Sequence, residues 1–392
     1  WSRAAEGFVG KLGISVDQLT TTEVKGETYV VAPIHQAGRK TLEVMRETLH
    51  TVLDNIQFPK TMRWNQGIRF IRPVRWLVCL FGGAVVPIEW GGQKAGKWTY
   101  GHRFLGGKAV IPVAESYVET MREEFVIVDP EERKGLIRKQ LQLLEKQNEW
   151  VIPIDEELLE EVTYLVEYPT ALSGQFSEEF LALPKEVLIT TMREHQRYFP
   201  VVDKRGKLLP FFVTVRNGDE QSLETIARGN EKVLRARLAD ARFFYEEDLK
   251  MPIEDMNKKL AKILFMKDIG SMAEKAERME CIARTVGQKL EMEEDVLLFL
   301  KRTAQISKFS LATQIVNEFP ELEGVMGREY ALQANEPGDV ADALYEYHLP
   351  RSSGDDLPHG TIGTVLSLAD KMDTIVCSFG MGIKPTSSQD PY

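Results

Sequence analysis

The 392-residue sequence predicts an α+β protein of several domains, with an all-α arrangement as the second choice. Three observations carry this. Short β-type runs separated by glycine pairs fill the first third of the chain. Beyond Asn230, apolar positions recur at helical spacing almost without a break. The length also exceeds what a single core comfortably organises. The changes of pattern divide the chain into an α+β domain over 1–125, an α+β region carrying a basic helix over 126–250, and a helical domain over 251–392.

The elements follow in order. Glu27–Val31 and Trp76–Phe81 are β-type runs, and the turns Gly82-Gly83, Gly91-Gly92 and Gly106-Gly107 cut the region into hairpin-sized pieces. Residues 130–148 read as a charged helix, with Leu136, Gln140, Leu143 and Leu144 at helical spacing. Lys185–His195 suits a helix. Tyr198–Val202 and 207–215 form two strands joined by Asp203-Lys204-Arg205-Gly206. The helical stretches beyond are 253–264, 271–290, 294–306, 340–347 and 361–379. The opening at Trp1 and the ending at Tyr392 suggest a piece of a larger protein.

Between Arg193 and Arg242 eleven Lys/Arg face seven Asp/Glu, a balance of +4 in a chain whose formal charge is −10. Such an island suits contact with a polyanion at one place, and a solvated surface is its plain alternative. It contains Arg193, His195, Arg197, Arg216, Asn217, Arg228, Lys232, Arg235 and Arg242, with Gly218 and Gly229 as expected turns. A helix capped by Asn230 would place Leu234, Leu238, Ala241, Tyr245 and Leu249 on one apolar stripe. Lys232, Arg235 and Arg242 would lie on an adjoining face, able to follow a phosphate backbone.

Other chemistries are excluded by their missing motifs. There is no Gly-rich phosphate loop, no dinucleotide fingerprint, no nucleophile elbow and no zinc-protease helix. Three cysteines far apart in sequence make no disulfide framework or zinc knuckle and fit a reducing cytoplasm. No apolar run is long enough for a membrane span. His102, at a strand–turn junction, reads as a structural hydrogen-bonding group. Asp370 and Asp373 share a helix face, with His348 and His359 upstream. Yet none of the six histidines precedes an aspartate, so the pair that holds metal in HD-type phosphohydrolases is missing. Asp370 and Asp373 are expected to pair with a cation such as Lys308 or to cap a helix, with no metal bound.

A set of motifs in order covers essentially the whole chain. It includes Trp64-Asn65, Phe70-Ile71-Arg72-Pro73-Val74-Arg75-Trp76-Leu77, Thr99-Tyr100-Gly101-His102-Arg103-Phe104-Leu105 and Val166-Glu167-Tyr168-Pro169. Thr191 to Pro200, Arg216-Asn217-Gly218, Gly229 to Leu238, Glu318 to Leu322, Ala369 to Thr374 and Asp390-Pro391-Tyr392 complete it. These resemble the β subunit of bacterial heterotetrameric glycyl-tRNA synthetase. The family chain extends beyond both ends of this one. Departures are Ser310 where aspartate is usual, the order Tyr347-His348, and Ser387 where glycine is usual. The first two weaken any catalytic reading of the helical domain.

The resemblance implies a B3/4-like, tRNA-handling middle region and a degenerate HD-like helical domain with Lys308, His348, Asp370 and Asp373 at its former site. It implies a glycine–tRNA ligase working as an α2β2 assembly in the cytoplasm. The α subunit uses glycine, ATP and Mg2+, while this chain binds glycine tRNA, holds no cofactor or catalytic residue, and does not form the adenylate alone. The nine residues of the basic island are the expected tRNA contacts. DNA and membranes are not expected partners. An HD-type metal-dependent nucleotide phosphohydrolase and a pure scaffold for the α subunit remain as alternatives.

Overall fold

In the computed structural model residues 3–34, 37–64 and 67–383 are described. Ser387 and the Asp390–Tyr392 motif therefore lie outside the described residues, as does Asn65. The chain divides into two compact units, Trp1–Glu124 and Phe125–Tyr392. It is a mixed α+β protein with small sheets and a largely helical second unit.

The first unit contains α1 (Arg3–Leu12), β1 (Thr20–Val24), β2 (Glu27–Val31), α2 (Thr41–Asp54), β3 (Met62–Trp64) and β4 (Ile68–Phe70). Short strands follow: β5 (Leu77–Val78), β6 (Leu80–Phe81), β7 (Ala84–Val85), β8 (Glu89–Trp90), β9 (Gln93–Gly96), β10 (Trp98–Tyr100) and β11 (Lys108–Val110), then α3 (Tyr117–Glu123). The expected Trp76–Phe81 strand is split. β5 pairs in parallel with β9, whereas β6 pairs with β7 across Gly82-Gly83. Between them the Cys79 carbonyl accepts from Val86 N–H at 3.0 Å. An apolar run predicts that a strand forms, but different partners for its two halves break it.

The second unit begins with α4 (Pro130–Asn148), α5 (Glu156–Leu165), β12 (Pro169–Gln175), α6 (Lys185–Thr190), β13 (Phe199–Val202) and β14 (Leu208–Asn217). It continues with α7 (Leu223–Leu249), α8 (Ile253–Lys259), β15 (Leu264–Met266), β16 (Gly270–Ser271), α9 (Met272–Lys289) and α10 (Glu294–Ile306). α11 (Gln314–Glu318), α12 (Glu323–Gln333), α13 (Gly338–Glu346) and α14 (Thr361–Gly380) complete it. The strand order is β12-β14-β13, all antiparallel, and the Asp203–Gly206 turn joins β13 to β14 as the sequence suggests. α4 lies along β12, where Gln140 accepts from Ala171 N–H (2.6 Å) and donates to the Pro169 carbonyl (3.0 Å). The buried face of α4 is Ile137 and Leu141, while Leu143 is exposed.

The expected Asn230 cap is not a helix start. α7 runs unbroken for 27 residues from Leu223, and Gly229 lies within it rather than at a turn. Ser222, at φ 58°, makes the bend before it, and Gly218, at φ 152°, makes the other expected turn. Asn230 instead accepts a hydrogen bond from the Tyr198 hydroxyl at 2.9 Å. Burial has pushed that phenol up to about 12. Residue 250 lies inside the second unit, whose largest buried cluster draws side chains from Phe176 to Leu344.

Candidate functional site

Two clusters of charge emerge from this frame. The first is the basic island. α7 is seated by the stripe Leu234, Leu238, Ala241 and Tyr245, all buried, while Leu249 at its end is exposed. At about 100° per residue, Arg228, Lys232 and Arg235 fall within about 60° of one another on the solvent side and span roughly 10 Å of helix. All three are exposed, and among the described residues none is in an ion pair. Arg228 makes a single long contact to Thr225 Oγ1, at 3.4 Å. The one acid interleaved with them, Glu231, turns to accept from Gln175 N–H at 3.0 Å.

The remaining expected contacts are committed elsewhere. A π-helical turn, Thr191–His195, follows α6 and carries Arg193 against the start of α5. Arg193 meets Asp155 (2.6 Å), Glu157 (3.2 Å) and Glu194 (3.2 Å), and Arg197 meets Glu161 (2.5 Å). Arg216 donates to the Gln221 carbonyl at 2.5 Å and lies near Asp219. Arg242 pairs with Glu179 (3.1 Å) over the Phe180 ring. Asn217 Oδ1 accepts from Glu167 and Tyr168 N–H, which anchors the end of β14. His195 stacks on Phe319, with ring centroids 5.0 Å apart.

The second cluster is buried. α9, α10, α13 and α14 enclose Asp370 and Asp373, which share the inner face of α14. Lys275 Nζ lies 2.9 Å from Asp370 Oδ1 and 3.2 Å from Asp373 Oδ2. Lys308 Nζ reaches the same Asp370 oxygen at 3.5 Å and Glu323 at 4.0 Å. Arg278 Nε donates to Asp373 Oδ1 at 2.6 Å. Three carboxylates thus face three cations. Burial alone would raise the two aspartates, but Lys308 and Lys275 at Asp370, and Arg278 and Lys275 at Asp373, hold both below the ordinary range. At Glu323 burial outweighs Lys308, and its carboxyl is raised.

The Lys308–Asp370 pairing is as the sequence suggests. Lys275 and Arg278 were missed, although Lys275 carries a signal: it occupies the apolar spacing that continues to Met279 and Ala283, where a lysine needs buried partners. Ser310 is buried but bears no charge. Among the described residues no group of three or more His, Cys, Asp and Glu is placed to hold a metal. The carboxylates have lysine ammonium groups where a cation would sit, which disfavours a divalent ion electrostatically.

His348 lies between the Tyr347 ring, 3.9 Å away, and the backbone at Gly324, where an added Cβ would come within 2.7 Å of the imidazole. Burial and then Lys308 lower it to about 3. With an ordinary value near 6.5, the unfolded chain takes up the proton first. Its contribution to stability is complete above about pH 6.5 and is lost as pH falls toward 3. Between pH 6.5 and 5 this loss is about 2 kcal/mol. The variant His348→Gln should flatten urea midpoints across that window; an unaltered slope would mean another group titrates.

The family model described as glycyl-tRNA synthetase beta subunit matches residues 1–392. The glycine–tRNA ligase beta subunit of Halalkalibacterium halodurans is 51% identical over the whole of this chain and 57% of its own length. The corresponding subunits of Bacillus subtilis and Moorella thermoacetica are 49% and 46% identical, with 58% and 57% of their lengths covered. The chain therefore spans little more than half the length of these relatives. No described helix is long and apolar enough to cross a membrane.

Proposed function

Since the chain belongs to the glycyl-tRNA synthetase beta-subunit family, we propose that it binds glycine tRNA and orients it for a partner subunit that activates glycine. The observation that carries this reading is the exposed, unneutralised row Arg228, Lys232 and Arg235 on a helix seated by an adjoining apolar face. Phosphate contacts of this kind set the register of an RNA without reading its sequence. Holding the acceptor end beside a separate active site turns a bimolecular encounter into an oriented one. In this reading ATP and Mg2+ belong to the α subunit of an α2β2 assembly in the cytoplasm, and this chain supplies neither cofactor site nor catalytic group. Residues 126–250 act as the B3/4-like module. The helices from 251 onward are an HD-like domain whose Lys275 and Lys308 stand in for a cation, so the phosphohydrolase alternative is not favoured.

Ion-paired Arg193, Arg197, Arg216 and Arg242 must give up a carboxylate or a carbonyl to meet phosphate, so they contribute less than the free row. In the assembled enzyme, Lys232→Ala with Arg235→Ala should weaken glycine tRNA binding. The log–log salt slope should fall by about 0.7–0.9 for each lost contact. Affinity and slope both equal to the parent enzyme would reduce the row to a solvated face and favour the scaffold reading.

A further inference from the structure

The strongest concentration of positive charge lies in the first unit. Residues 55–114 carry nine lysines and arginines against one carboxylate, Glu89, a balance of +8 in a chain of −10. Among the described residues none of the nine is in an ion pair, whereas four arginines of the second unit's island have carboxylate partners. Uncompensated charge at this density creates a potential that attracts a polyanion.

The antiparallel ribbon β10–β11 adds aromatic surface. Its pairs are Trp98 with Val110, Thr99 with Ala109 and Tyr100 with Lys108. Thr99 and Ala109 are buried, so alternation turns Trp98, Tyr100, Lys108 and Val110 to the opposite, exposed face. Lys108 Nζ sits 4.3 Å from the Trp98 ring centroid, and the Trp98 and Tyr100 rings meet edge to face at 5.7 Å. At the ribbon tip Phe104 is 82% exposed, with the Arg103 guanidinium 5.6 Å from its ring.

The tip is held from beneath. His102, 2% exposed, accepts at Nδ1 from Phe104 and Leu105 N–H, and its backbone N–H donates to the Glu124 carbonyl at 2.8 Å. Glu124 Oε2 accepts from Gly107 N–H at 2.5 Å. A Cβ at Gly101 or Gly106 would run into the Glu124 carbonyl, so glycine is needed at both. A rigid loop thus keeps a phenylalanine and an arginine in solvent, against the hydrophobic tendency of the ring.

We propose that this ribbon is a second RNA-binding surface, on which Phe104 and Trp98 stack unpaired bases of glycine tRNA while Arg103 and Lys108 meet the flanking phosphates. Exposed rings interleaved with unneutralised cations suit unpaired nucleotides, because every base offers a stacking face. This rests on the tRNA-binding reading above.

The test uses the assembled enzyme with glycine tRNA and a blunt RNA duplex as probes. Phe104→Ala should weaken tRNA binding about five- to a hundredfold and leave duplex binding unchanged. Arg103→Gln with Lys108→Gln should weaken both and lower the tRNA salt slope by about 1.4–1.8. These side chains are exposed, so folding should be unaffected. Parental tRNA affinity and slope in both variants, while the Lys232/Arg235 variant is weakened, would overturn the proposal and leave the tRNA reading intact. Loss of the partner subunit with tRNA affinity kept would overturn it in favour of an acidic protein surface. A parent enzyme that does not bind glycine tRNA would sink both.

Discussion

Replacing Lys275 with Met is expected to cost about 3–5 kcal/mol, because breaking a buried ion pair from one side leaves uncompensated charge. Lys275 is 3% exposed and is shared by Asp370 and Asp373, and it also donates to Thr374 Oγ1 at 2.8 Å. With it gone, Lys308 remains for Asp370 and Arg278 for Asp373, which places the loss toward the lower end of that range. Urea midpoints of the parent and the variant measure it. Adding Asp370→Asn to Lys275→Met should recover part of the loss, since one stranded charge is removed with its partner. A loss below about 1 kcal/mol would show that the cluster is reached by water and carries little stability.

Asp248→Ala should be comparably severe. This buried carboxylate at the end of α7 accepts from Gln314 N–H (2.8 Å), Ile315 N–H (3.0 Å) and the Tyr330 hydroxyl (3.0 Å). It thereby closes the start of α11 from another helix and ties α12 to the same point. Removing it orphans three donors. At about 1–3 kcal/mol for each buried unsatisfied group, with the exposed end of Gln314 contributing least, the total is about 3–5 kcal/mol. Asp248→Asn keeps one carbonyl acceptor and should lose about half as much. Equal losses for Ala and Asn would point to negative charge at the α11 terminus, rather than hydrogen-bond number, as the deciding quantity.

Much of the architecture was legible in advance. The 130–148, 271–290, 294–306 and 361–379 helices declared themselves by apolar spacing, and the strands around Asp203–Gly206 by alternation and turn chemistry. Shorter or more polar elements were not. β12, α11 and α12 lack a sustained period, and α12 buries Gly324, Gly327 and Ala331, small residues that periodicity weighs lightly; α5 does repeat Leu158, Leu159 and Val162 at helical spacing but is only ten residues long. Asn230 looked like a cap because its residue type favours that position. In the folded chain the Tyr198 hydroxyl occupies it and Ser222 supplies the bend eight residues earlier.

By itself, then, the sequence determined the mixed α+β class, the lack of nucleotide-loop and hydrolase motifs, the basic island between Arg193 and Arg242 and the family resemblance. These depend on residue type and on spacing within a few turns. Only the tertiary structure decided which charges are free. Arg193 and Arg197 are neutralised by carboxylates some 36–38 residues distant, on α5 and at its N-cap Asp155, while Lys275 finds Asp370 and Asp373 from 95–98 residues away. Ion pairing is a short-range interaction between groups brought together by packing, so charge counts reveal where cations are abundant and only the fold reveals which of them remain available to RNA.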